Sequence, residues 1–164
     1  MPQFKNLKDL EKYLNNMVKE SMKEVAETIR DVEQETIETE VYDKYRPNSV
    51  DGEPWIYQRR RENGGLKDRK NMIENVYETD NGVEMIVENI TTGSDSHERI
   101  DDLIEYGDGA NGKQYDYKKN RDGTAWQYLR GRPFTKSTAE ELERSKRHVE
   151  TLKRELRDRG INVE

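Results

Sequence analysis

The sequence contains no cysteine. Disulfide frameworks, thiolate catalysis and cysteine-based zinc sites are therefore excluded. Apolar residues are also scarce, at 30% against 39% charged. Such a chain builds a modest core, and the rest of its surface is either solvated or covered by a partner. No run approaches the ~20 apolar residues of a membrane span. Residues 1–30 carry charges every few positions, with none of the apolar stretch that a secretory signal needs. The expectation is a soluble protein made in the cytoplasm, with no membrane partner. Histidine is limited to His97 and His148. Each falls on a predicted helix without a second histidine three or four residues away, so neither makes a metal pair.

The 164 residues suit a single domain, residues 1–164. Neither proline nor glycine occurs between residues 3 and 46. Across this span an apolar stripe runs Leu7, Leu10, Leu14, Val18, Met22, Val25, Ile29, Val32, Thr36, in steps of three and four. With Asn6 as its cap and Asp9 in its first turn, the pattern predicts one long helix over 6–45. From Leu7 to Asp43 it would measure about 55 Å at ~1.5 Å per residue. That exceeds a small domain's diameter, so part of the helix is expected to pack outside its own core. Arg46-Pro47 ends it.

A loop follows over 46–71, with glycines and prolines around Trp55, Ile56, Tyr57 and Leu66. A long loop with embedded aromatics is expected to dock onto something. Over 72–136 the sequence predicts a small antiparallel sheet of hairpins. Met72–Glu78 and Val83–Ile90 flank Thr79-Asp80-Asn81-Gly82, a strong hairpin signal. Ser96 caps a short helix from about His97 to Tyr106, with Ile100, Leu103 and Ile104 inward. A second hairpin is expected between Gln114 and Leu129. A C-terminal helix over 137–164 opens on the capping boxes at Ser137 and Thr138, buries Leu142, Val149, Leu152 and Leu156, and stops at Gly160. The fold class is α+β.

No complete catalytic motif is present. Asp101, Asp102, Glu105 and Asp108 form the densest acidic cluster, and Asp108-Gly109-Ala110-Asn111-Gly112 lacks the ligand spacing of a calcium loop. Asn89-Ile90-Thr91 matches a glycosylation sequon without a secretory context. No metal, cofactor or catalytic residue is expected, and the chain reads as a structural subunit rather than an enzyme.

Charge is unevenly placed on a chain of net charge −6. From Glu24 to Asp43 there are eight acids and one base, Arg30; from Ile56 to Lys70 there are six bases against Glu62 and Asp68. The two segments could pair within a chain or between neighbouring copies. Arginines beside Trp55 and Tyr57 could also grip single-stranded nucleic acid, although three arginines on a loop more often meet acidic protein surface. The candidate subunit-interface residues are Trp55, Tyr57, Arg59, Arg60, Arg61 and Leu66 on the loop, and Glu33, Glu40 and Asp43 on the helix.

Several short motifs carry a resemblance through their order. They are Tyr57-Gln58-Arg59-Arg60, Gly64-Gly65-Leu66, Leu103-Ile104-Glu105-Tyr106-Gly107, Tyr115-Asp116-Tyr117 and Arg132-Pro133-Phe134-Thr135 before the closing helix. From Leu7 to Val163 the chain resembles the head–tail connector, or tail-completion, proteins of long-tailed bacteriophages, the neck or minor structural proteins. The resemblance implies a homo-oligomeric ring in the virion neck. Its partners would be a portal-side connector protein and a tail-tube or tail-terminator protein, with DNA passing through non-specifically. It supplies no catalytic residues. The acidic Glu24–Asp43 stretch departs from the more basic N-terminal half of many members and argues against a grip on DNA. The competing readings are a nucleic-acid-associated helical regulatory protein and a small hydrolase using the Asp101–Asp108 acids. The stripe's 3.6-residue drift argues against a sustained coiled coil in the first.

Overall fold

The computed structural model of the chain describes residues 4–44, 60–80, 82–93, 99–107 and 131–163. The fold is α+β: a long N-terminal helix, a two-stranded antiparallel sheet, a short helix and two C-terminal helices. Helix α1 runs Leu7–Ile37, and the Asn6 side chain accepts from the Asp9 N–H at 2.9 Å. One π-helical turn, Glu38–Tyr42, continues it, closed by the Asp43 N–H donating to the Glu38 carbonyl. The helical run thus ends at Tyr42, three residues short of its predicted limit at 45, and its last turn is widened. Val41 and Tyr42, adjacent in sequence, are both buried there.

Strands β1 (Met72–Thr79) and β2 (Gly82–Asn89) pair in the register Met72↔Asn89 to Thr79↔Gly82. Gly82 has φ 137°, a value that favours glycine. Val83, Met85 and Val87 take the inward face as the alternation predicts, while Glu84, Ile86 and Glu88 are exposed. The hairpin lies antiparallel beside α1. At its base the Arg30 Nε donates to the Met72 carbonyl at 2.9 Å, and near its tip Lys19 pairs with Glu78 at 3.0 Å.

Helix α2 is shorter than expected, Asp101–Tyr106, and the bridge Thr92↔Arg99 precedes it. Its inward face carries two acids besides the expected Ile104, which packs against the core cluster. Asp101 and Glu105 are the buried residues, while Leu103 and Ile104 are half-buried. Both acids have structural partners, which offset the cost of burial. Arg99 holds Asp101 at 2.5 Å. The Glu105 carboxylate accepts from the backbone N–H of Thr135 at 2.8 Å and of Lys136 at 3.3 Å.

That second contact corrects the C-terminal helix. Instead of one helix capped at Ser137 or Thr138, α3 starts at Phe134 and runs to Ser145. Its N-terminal N–H groups are satisfied by Glu105 from α2, so no local cap is needed. Thr138 is buried within the helix and bonds the Thr36 hydroxyl at 2.5 Å. Lys146 then adopts a left-handed conformation (φ 55°, ψ 16°), and α4 follows over Arg147–Asp158. Of the four predicted core positions Leu156 is buried and Leu142, Val149 and Leu152 are half-buried. Gly160 does end the helix. Its N–H donates to Arg157 and that of Ile161 to Leu156, the pairing of a Schellman motif.

Helix α4 lies antiparallel to α1, as shown by Arg147–Glu35 (2.7 Å), Thr151–Thr28 (2.9 Å) and Arg159–Glu20 (2.7 Å). The core cluster Ile37, Val41, Tyr42, Leu66, Met72 and Phe134, with Ile104 against it, sits at the C-terminal end of α1. The expected second hairpin, Gln114 to Leu129, lies outside the described residues, as do Ser96 and His97.

Candidate functional site

The acidic half of α1 and the basic segment after it do meet, but within one chain. Arg30 pairs with Glu27 and with Glu74 of β1; Arg69 pairs with Glu27 and Asp31. Lys67 and Arg61 both reach Glu38, at 2.8 and 3.1 Å. The bond from Lys67 holds the Glu38 carboxyl below its usual range, despite an opposing push from burial. Arg61 also lies over the Tyr42 ring, 5.0 Å from its centroid, a cation–π contact. Arg60 donates to the Thr92 carbonyl at 2.5 Å.

Two of the proposed interface residues are consequently corrected. Leu66 was expected on a docking surface but is a core residue, 3% exposed. Gly64, at φ 76°, turns the chain there, and any Cβ on Gly65 would lie 2.5 Å from the Arg61 carbonyl. The Gly64-Gly65 pair is thus the tight turn that drives Leu66 inward. Glu33 was expected on the acidic outer face but is buried beside Val32 and Thr36. Glu40 is half-buried and pairs with Lys44, and Asp43 is exposed. Trp55, Tyr57 and Arg59 lie outside the described residues.

Around Glu33 the structure assembles a polar cluster that hydrophobic periodicity does not reveal. Asn89 Nδ2 donates to Glu33 Oε1 and to the Leu66 carbonyl, each at 2.9 Å. Asn89 Oδ1 accepts from the Thr91 hydroxyl at 2.6 Å and from its N–H at 3.2 Å. The apparent glycosylation sequon is therefore a buried Asx-type turn at the end of β2. Asn71 Nδ2 donates to Thr91 Oγ1 and to the Gly65 carbonyl. Burial pushes the Glu33 carboxyl up to about 7. The Asn89 hydrogen bond and Arg30 oppose that rise, while Asp101 and Glu105 add to it. The one sequence signal for this site was polarity out of place, at Asn89 in an inward strand position and at Asp101 and Glu105 on an apolar helix.

A groove of about 430 Å³ is lined by Glu35, Thr36, Thr39, Glu40, Ser137, Glu140, Glu141 and Arg144. Its four carboxylates pair with Arg147, Lys44, Lys136 and Arg144 of this chain. Among the described residues, no group of three or more His, Asp or Glu could hold a metal ion, and no helix is long and apolar enough to cross a membrane. His148 is half-buried and its pKa is lowered by that burial and by Lys146.

The opposite end of α1 is different. Its ion pairs to other elements begin at Lys19 and Glu20. Ahead of them Phe4, Leu7 and Leu14 are exposed, Leu7 at 84%. The Phe4 and Tyr13 rings pack against each other at a tilt, with centroids 5.1 Å apart. About 12 residues of helix, ~18 Å, form this N-terminal arm, on which Leu10, Tyr13 and Val18 are half-buried.

No curated protein and no solved structure matches the chain. A family model does, over residues 6–158, and its name, YomN, is that of a phage-derived Bacillus protein. The match takes in the arm, the ion-paired half of α1, the hairpin and both closing helices, and on that span the chain belongs to the phage-related YomN family.

Proposed function

We propose that the chain is a structural subunit of a bacteriophage particle, forming a homo-oligomeric ring at the head–tail interface. In this reading it turns over no substrate. It joins the tail to the DNA-filled head, between a portal-side connector protein and a tail-tube or tail-terminator protein. It is made in the host cytoplasm and resides in the virion neck. The phage-related family supports the setting. The observation that carries the reading is the N-terminal arm, whose exposed Phe4, Leu7 and Leu14 are apolar groups that a partner would cover. In a closed ring each subunit offers one patch to one neighbour and a different patch to the other. Trp55, Tyr57 and Arg59 remain, within this proposal, anchors toward a neighbouring subunit.

The test uses the producing host. Leu7→Asp combined with Leu14→Asp leaves the purified chain folded by circular dichroism. The phage carrying it yields filled heads and separate tails in electron micrographs. Normal tailed, infectious particles from the double variant would refute the connector reading.

A further inference from the structure

The cluster beneath the hairpin does more than fill space. Asp101, Glu105 and Glu33 are 5%, 9% and 6% exposed. Asp101 faces the guanidinium of Arg99, and Glu105 receives two backbone N–H groups of α3. Glu33 receives one neutral amide, from Asn89. Arg30, one helical turn before it, is already engaged by Glu27, Glu74 and the Met72 carbonyl. Lys67, on the adjoining segment, is taken by Glu38 and Glu62. Among the described residues no cation bonds Glu33 directly; Arg30 attracts a negative charge there, but burial strips that charge of water and Asp101 and Glu105 repel it, an arrangement that buried carboxylates resist.

We propose that Glu33 is a protonation-controlled latch: with Glu33 neutral, α1, the base of the hairpin and the Leu66 turn close over it without burying a charge, and its ionisation, which burial disfavours, loosens all three. The Asn89 Nδ2 holds Glu33 and the Leu66 carbonyl, and the Oδ1 of the same side chain holds Thr91. Disturbing one acid therefore disturbs α1, β2 and the 64–71 turn together. The direction follows from linkage. The folded chain holds this proton to about pH 7, whereas the unfolded chain releases it near the ordinary carboxyl value of 4.5. The latch is complete below pH ~4.5, weakens as pH rises toward ~7, and weakens no further above it. This device does not depend on the connector reading.

Hydrogen exchange on the full chain at pH 5, 6, 7 and 8, corrected for intrinsic rates, tests it. Opening of amides in 66–72 and 87–92 rises up to ~tenfold per pH unit to about pH 7 and then levels. In Glu33→Gln, which keeps the acceptor for Asn89, opening varies little with pH. An equal slope in wild type and variant, or no slope in either, overturns the proposal. A carboxyl-carbon NMR titration of wild-type Glu33 decides the matter independently of how the variant folds. A midpoint near 7 supports the latch, and one at or below 5 overturns it.

Discussion

The two ends of α1 share one apolar stripe and meet opposite fates. From Ser21 to Tyr42 the helix is walled in by the hairpin, α3 and α4, and Val25, Val32, Ile37 and Val41 are buried. Its acids are matched there by cations from three other segments, Lys67 and Arg69 before the hairpin, Arg61 in the preceding turn and Arg147 of α4, and by Arg30 of α1 itself. From Phe4 to Val18 none of the stripe is buried: Phe4, Leu7 and Leu14 are exposed, and Leu10 and Val18 are half-buried. An amphipathic face records that something covers it, not whether the cover belongs to the same chain.

That contrast can be tested by truncating one side chain at each end. Phe134, 1% exposed, packs on Ile37 and Val41 at the covered end. Phe134→Ala should lower unfolding free energy by about 3–5 kcal/mol through lost transfer energy and a residual cavity. Leu7→Ala in the arm should stay within about 0.5 kcal/mol, the usual range for an exposed position. Urea denaturation of the two variants gives both values. A cost above ~2 kcal/mol for Leu7→Ala would mean that the arm is packed within the monomer.

The covered end also depends on a cap that crosses between helices. Glu105→Ala removes the acceptor for two N–H groups of α3, and a lost cap typically costs about 1–2 kcal/mol. The same denaturation assay should find that loss. No change on Glu105→Ala would show that solvent replaces the carboxylate at no cost.

The smallest effect is expected at the border between the two regions. Lys19 and Glu78 are paired at 3.0 Å, with side chains 47% and 57% exposed. Exposed pairs contribute only ~0–1 kcal/mol. A double-mutant cycle with Lys19→Ala and Glu78→Ala should give a coupling below ~1 kcal/mol that falls further in high salt. A larger, salt-independent coupling would move the border of the covered region toward the N-terminus.

By itself the sequence determined the local elements. The Asn6 cap, the unbroken 3.6-residue stripe, the alternation of Val83, Met85 and Val87 and the Gly160 stop are all short-range signals. Each acts through backbone geometry or the spacing of neighbours along one element, so each appears in the structure close to where it was read. Tertiary structure decided everything that needed a partner distant in sequence. Glu105 displaced the local capping boxes because α2 places its carboxylate against the first turn of α3. Leu66 went inward because Gly65 packs against the backbone at Arg61. Glu33 became a buried acid because Asn89, 56 positions away, bonds it beneath the hairpin. Periodicity along a chain fixes which residues share a face. Which face a charge meets, and whether water is left beside it, depends on packing between elements.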